Sequence, residues 1–391
     1  MRPIEPVTFI SLLRNAPDAP CLAGLVTRLA SHPDPAEGLL GLSTVLQYLG
    51  RIEDGLEMQD KALALRQHYR VIQRKSGKGP RLLALMVPGE YLMANTPLEF
   101  LLEDADVQLE LIFVTPDAPL PERLPQHDVL FVAIGHAEPT RSTLLSIQSR
   151  LRNHTGKVVN RPDALLGLSR ERVSERLQGM PDCIVPRVVR MSREALTQLA
   201  QNPLGSDSPD DFPLIVRPLD SHAGKGLCKL TDRDGLTDYL AYQTAAWFQV
   251  ARYIEYRHPD GRFRKYRVAL IDRQPYLCHL AISDHWIVNY ENSGMHDSTE
   301  KRAEEAHELQ EPESGFLDRH ASKLREIADR LELDYVVVDC AETVDRQFLF
   351  FEADNRGFVH ATDPEDIFPY KRRQMDKVFA AFRGLVAHTT M

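Results

Sequence analysis

The chain has 391 residues and a formal net charge of -9, long enough to bury two or three cores and too acidic for a surface that coats nucleic acid. Apolar residues make up 43% and charged residues 26%, the proportions of a globular protein, and no apolar run reaches membrane-spanning length. The start, MRPIEPVTFISLLRNAPDAP, carries Arg and Asp where a signal peptide needs an unbroken apolar core, so the cytoplasm is the expected compartment.

Residues 1–78 read as helical. Leu39, Leu42, Val45, Leu46 and Leu49 recur at helical spacing, Gly50 interrupts, and Leu56 to Leu65 resume the pattern. The pair resembles a tetratricopeptide-like unit, with Ala62 and Ala64 small enough for close helix contact. One unit cannot stack into a solenoid, so it is expected to dock a protein partner or form a homodimer. Ser76 to Pro80 reads as a linker.

Over 79–159 the runs LLALMV, LELIFV, VLFVAI and KVVN alternate with helical or loop segments, which predicts a small parallel α/β layer ending at Asn160. Pro162 is placed to open the next helix. The five cysteines are scattered without a CxxC and read as reduced, buried thiols.

Phe212 to Leu230 places a basic strand end, Arg217, before a loop in which Gly224 and Gly226 flank Lys225. Glycines let amides approach phosphate oxygens, and Arg217 and Lys225 can neutralise them. Nothing matches the Walker pattern, and no GxGxxG follows a strand. On the later strand RKYRVALID, Lys265 and Arg267 point the same way. His279 and His285 have no acidic metal partner in register and read as core or pocket residues, as does His360. Ser298 to Ser314 has the composition of a solvated helix or a mobile lid.

Leu331 to Gly357 reads as a hairpin of strands Tyr335–Ala341 and Phe348–Ala353 around Asp345-Arg346. That turn sets Asp339 opposite Glu352, with Asp354 on the face of Glu352. Carboxylates paired across strands repel, so burying them calls for a cation, and neutralising either is expected to leave the fold as stable or more so. All-oxygen ligation suits magnesium carrying nucleotide phosphates; the other reading is a solvated acidic face.

The order of these parts resembles the ATP-grasp superfamily from about Asn160 to the C-terminus, and 79–159 is similar to the domain that precedes the grasp. The fold class implied is α/β and α+β: a helical segment, a parallel α/β layer, and over 160–391 two lobes, about 185–255 and 256–391, with ATP between them. The resemblance implies His222, Gly224, Lys225 and Gly226 in a loop that closes on phosphates, and Arg217 on phosphate or adenine. It implies adenine contacts from the backbone of Gln249 to Ile254, Glu255 on ribose, and Lys265 and Arg267 at the transferred phosphate or the substrate carboxylate. Mg2+ would lie on Asp339 and Glu352. The third position departs from the family's Glu-x-Asn, since Asp354 stands there and Asn355 one place later, and either can supply the ligand. The implied function is carboxylate-amine ligation through an acylphosphate, releasing ADP and phosphate, on small-molecule or peptide substrates. The alternative is a decayed nucleotide-binding scaffold that uses its helical N-terminus to bind a partner.

Overall fold

The computed structural model describes residues 19–71, 79–201, 212–221, 224–310 and 315–387. The first elements are helices α1 (Ala19–Ala30), α2 (Pro35–Tyr48) and α3 (Ile52–Leu65). Asp34 caps α2, its carboxylate accepting the Ala36 and Glu37 amides. Gly50, at a φ of +75°, turns the chain into α3.

A strand follows where helix was expected. β1 (His68–Val71) pairs antiparallel with β3 (Gln108–Phe113) at the edge of a five-stranded sheet. The order is β1-β3-β2-β4-β5, with β2 (Arg81–Met86), β4 (Val129–Val132) and β5 (Lys157–Val159) parallel to β3. Four residues are too few for a periodic signal, and the strand exists because the sheet edge satisfies its backbone. Tyr69 meets Phe113 edge-on at 6.1 Å and donates to the Ala62 carbonyl of α3 at 2.9 Å. Gln59 clasps the backbone of Gly89, and Gln47 accepts the Tyr91 amide at 2.8 Å. The helices are therefore built onto the α/β layer, not hung from it by a linker. The expected linker lies largely in 72–78, outside the described residues.

Two short helices, α4 (Leu98–Leu101) and α5 (Arg141–Leu151), flank this sheet. Pro162 opens α6 (Pro162–Leu165), and Ser169 caps α7 (Arg170–Leu177) by accepting the Arg172 amide. The four-stranded antiparallel sheet that follows has the order β7 (Val189–Ser192), β10 (Trp247–Arg252), β8 (Leu214–Pro218), β9 (Cys228–Leu230). With α8 (Arg193–Gln201) and α9 (Arg233–Tyr242) it closes a core of its own around Leu196, Val216, Leu236 and Phe248.

The last sheet has the order β12 (Gln274–Ser283), β11 (Phe263–Ile271), β13 (Tyr335–Glu342), β14 (Phe348–Asp354), β6 (Cys183–Ile184). Around it lie α10 (Tyr290–Ser293), α11 (Thr299–Gln310), α12 (Phe316–Leu331) and α13 (Lys371–Ala387). Its core is continuous with that of the α/β layer: Leu82, Ala84 and Phe131 of the first sheet join Ala269, Ile271 and Tyr335 of the third through Phe379 and Phe382 of α13. Asn160 stitches the two sheets, its side chain exchanging hydrogen bonds of 2.8 and 2.9 Å with the backbone of Tyr335. The charged stretch expected as a solvated helix is α11, which turns Lys301, Glu305 and Leu309 inward. Among the described residues no helix is long and apolar enough to cross a membrane.

Replacing Tyr69 by Ala is expected to cost about 3 kcal/mol, the loss of a buried aromatic side chain, read from the urea midpoint. A cost under about 0.5 kcal/mol, the range of an ordinary surface change, would mark the helices and β1 as an appendage.

Candidate functional site

Strand pairing lines up His279, Arg267, Asp339 and Glu352 as one row across β12, β11, β13 and β14. Residues directly opposite share a face, so the four side chains stand side by side. Asp339 meets Glu352 as the hairpin pattern predicts, by a less direct route. At the turn, Glu342 faces Phe348 and Cys340 faces Phe350; the register then slips, Phe351 is left over, and Asp339 comes level with Glu352. Without that bulge Asp339 would face Phe351 and the carboxylates would separate.

The charge that the acidic pair needs comes from the protein. Asp339 is almost wholly buried and accepts from Arg267 through Nε (2.8 Å) and Nη2 (2.9 Å) and from Lys265 Nζ (3.1 Å). Burial would raise its carboxyl, but Arg267 and Lys265 hold it well below the usual range. Glu352 accepts from Arg170 Nη2 at 2.5 Å, and Arg217 Nη1 lies 3.9 Å away. Its carboxyl is likewise driven below the usual range: burial works against this, while Arg170 and Arg217 outweigh it together. Two guanidiniums thus share one carboxylate, and burial together with Arg170 lowers Arg217 to about 10. Arg170 also donates to Gln249 Oε1 at 3.3 Å. Arg217 holds Ser221 through the hydroxyl, at 3.0 Å, and the carbonyl.

Asp354 stands beside this set but is committed to Arg356, which reaches it through Nε (2.9 Å) and Nη2 (2.8 Å). Arg356 lies so close over Gly135 that a Cβ there would sit 2.0 Å from its Cδ. Asn355 is fully buried and faces away, donating to Thr96 Oγ1 and to the carbonyls of Ala133 and Ile134 at 3.1–3.3 Å. Its Nδ2 ties β14 to the α/β layer, its Oδ1 is buried without a partner, and alternation sends the residue after Asp354 to the strand face away from Glu352.

The remaining expected residues divide. Gly224 and Gly226 adopt φ of +75° and +69°, and a Cβ on Gly226 would strike Pro218, so both positions require glycine. Lys225 is exposed between them, and His222 lies outside the described residues. Gln249 cannot offer its backbone to a base, because β10 has β7 on one side and β8 on the other. Its side chain is the useful part, bonded to Arg170 and to Glu171 (3.0 Å). Ile254 packs near Tyr256 and Phe263. Glu255 accepts the Tyr256 and Arg257 amides at 3.1 and 3.0 Å, which makes it a turn-former in the connection between the lobes. Arg170 was not legible: in RERVSERL it is one charge among several on a helix, and only the Ser169 cap marks the helix end that carries it.

Five cationic groups (Arg170, Arg217, Lys265, Arg267, Arg356) surround three carboxylates (Asp339, Glu352, Asp354). Glu171 joins them through Gln249, so the charges are close to balance and the forked donors are what suit an anion. Among the described residues, no three His, Cys, Asp or Glu side chains are grouped to hold a metal ion by themselves. Hard oxygen donors on Asp339 and Glu352 fit a cation only if it arrives with phosphates that take over the arginines.

No family model and no curated protein matches the chain. Solved structures do. A RimK domain ATP-grasp protein from Sphaerobacter thermophilus is 16% identical with a TM-score of 0.45, over 78% of this chain and all of that one. The VanG D-Ala:D-Ser ligase of Enterococcus faecalis is 12% identical with a TM-score of 0.49, over 78% of this chain and all of that one. The ATP-grasp ligase PsnB, solved with a phosphomimetic variant of its minimal precursor, Mg and ADP, is 14% identical with a TM-score of 0.42, over 77% and 98%.

The pairings reverse the stability expectation drawn from repulsion alone. Asp339→Asn leaves Lys265 and Arg267 without their counter-ion and is expected to destabilise the protein by about 3 kcal/mol in chemical denaturation. Because the folded carboxyl is held below its unfolded value of about 4, its contribution is complete above that pH and is lost as pH falls through the folded value. The fall in Tm on acidification below pH of about 4 should therefore be smaller in the variant than in the wild type.

Proposed function

We propose that the chain is an ATP-dependent ligase of the ATP-grasp kind, joining a carboxylate to an amine through an acylphosphate with release of ADP and phosphate. The observation that carries this reading is the convergence of Arg170, Arg217, Lys265 and Arg267 on two strand-paired carboxylates between the lobes. The strand bearing Arg217 runs into the glycine hairpin, whose positive-φ residues leave backbone amides free to turn toward an anion. Phosphoryl transfer needs positioning and charge stabilisation and no covalent enzyme group, which matches a site made of Arg, Lys, Asp and Glu.

In this mechanism the polyphosphate takes Arg170 and Arg217 from Glu352, since a multiply charged phosphate is the stronger partner for a forked donor. Asp339 and Glu352 are the residues that would hold magnesium, which on binding draws charge off the transferred group. Arg267 keeps its hydrogen bond to the Phe358 carbonyl (3.1 Å), which fixes the guanidinium where it can stabilise the oxyanion formed when the amine attacks. Lys265, two residues along the same strand face, balances the charge of Asp339. A nucleotide-binding protein without turnover is the second reading, favoured by the diversion of Asn355 and the locking of Asp354.

With the twenty amino acids and their N-acetyl forms offered as acids and amines, ATP should yield ADP and orthophosphate and no AMP. Oxygen-18 in the substrate carboxylate should appear in the phosphate. Arg267→Ala is expected to lower turnover about a hundredfold or more with a smaller effect on ATP affinity, as for the loss of an oxyanion contact. Arg170→Ala should weaken ATP binding about tenfold, the worth of one charge-assisted contact. AMP formation would overturn the acylphosphate reading, and ATP binding with no product from any pair would favour the binding protein.

A further inference from the structure

Beside Arg267 in the row stands His279, the visible corner of a buried polar network that the two-step chemistry leaves without a task. His279 Nδ1 lies 2.5 Å from Glu305 Oε1. Glu305, on the inward face of α11 and wholly buried, also accepts from Tyr370 Oη at 2.6 Å and from the Leu280 amide at 3.3 Å. Lys371, at the start of α13, pairs with Asp363 at 3.0 Å and with Glu305 at 3.4 Å, and its Nζ lies 3.4 Å from His279 Nδ1, farther than the Glu305 oxygen. His360 stacks on Phe358 at 4.3 Å, and the Phe358 carbonyl is the one that Arg267 holds.

A carboxylate at such a position is costly to desolvate, and a packing helix has a cheaper solution one turn on, where Leu309 fills the same inward stripe. Glu305 balances Lys371 and accepts from Tyr370, and its closest partner is His279. A carboxylate only accepts, so Nδ1 carries a proton and Nε2 holds the lone pair of the neutral ring. That Nε2 is shielded from water and has no hydrogen-bond partner. An imidazole oriented by a carboxylate through one nitrogen and unpartnered at the other has the composition of a general base, and the buried Nε2 meets an amine only once the site opens around it. His360 has the opposite polarity: the Thr362 amide donates to its Nδ1 at 3.2 Å, so its proton is on Nε2, and burial lowers it to about 4, which keeps it a neutral donor.

We propose that His279, oriented by Glu305, is the base that takes a proton from the incoming amine in the second half-reaction; this rests on the ligase reading. An ammonium has no lone pair for attack. Transfer of one N–H proton to His279 Nε2 frees that pair, which forms the C–N bond at the acylphosphate carbon. As the tetrahedral intermediate collapses, the bond from that carbon to the phosphate oxygen breaks, the electron pair leaves with phosphate, and the second amine proton departs with it. Glu305 is a positioning residue that holds the ring and offsets the charge it gains.

The test uses two nucleophiles that differ in their need for a base. The protein is given ATP, the acid that yields ADP in the panel above, and either an amino acid amine, which is protonated at neutral pH, or hydroxylamine, which is not. His279→Gln and Glu305→Gln are expected to cut amide formation about a hundredfold or more while hydroxamate formation stays close to the wild-type rate. Equal losses with both nucleophiles would make the two residues structural and overturn the assignment, as would undiminished amide formation. Nitrogen-15 NMR of histidine-labelled protein, with His279 assigned by its loss in His279→Gln, reads the tautomer without any substrate. A proton on Nδ1 and a bare Nε2 support the proposal, and a neutral ring protonated on Nε2 overturns it. Failure of every acid to yield ADP falls on the ligase reading itself and removes the base with it.

Discussion

Asp339 lies in a central strand of a five-stranded sheet with almost no access to water, and its charge persists there only because Arg267 and Lys265 on the next strand surround it. That requirement spreads outward. Glu352, directly across the hairpin, feels the repulsion of Asp339 and needs cations of its own; they come from the start of α7 and from the four-stranded sheet. The parts of the chain that meet at the cleft are thus drawn together by the need to balance two carboxylates. Buried ion pairs are poor stabilisers, since desolvation consumes much of the attraction. Keeping five cations and three carboxylates together where apolar residues would fold as well argues that the charges are kept to meet a ligand.

Much of this was legible because it follows from local geometry. The alternation of side chains put Lys265 and Arg267 on one face, the hairpin pattern put Asp339 near Glu352, Pro162 marked a helix start, and Gly224 and Gly226 marked a loop that needs positive φ. The pairing of Asp339 with Glu352 still depends on a bulge at Phe351 that no sequence pattern announces.

What was not legible depends on partners distant in sequence. Arg170 is 182 residues from Glu352, and nothing in its neighbourhood distinguishes it from a solvated helix charge. Asn355 reads as a ligand because the family's Glu-x-Asn puts an asparagine one place earlier, yet its Nδ2 is used 259 residues away on Thr96. Glu305 sits in a stretch so rich in charge that composition argued for solvent, and only the inward stripe of α11 reveals the burial. The strand β1 was hidden for a different reason, as an edge strand takes its order from the neighbour it pairs with.

The α/β layer and the five-stranded sheet share one apolar core, whereas the four-stranded sheet has its own and reaches the rest through polar contacts: Arg190 to Glu138 (2.6 Å), the Glu138 amide to Asp220 (3.2 Å), and Gln249 to Arg170 and Glu171. Mechanically this is one frame with a separately packed jaw. Apolar packing makes the frame stiff, and its stiffness changes little with dissolved ions. The jaw is held largely by charge, and such contacts weaken as ionic strength rises and the screening length shrinks to about 8 Å at physiological salt. Dissolved ions therefore act on the seam between jaw and frame and leave the shared apolar core untouched.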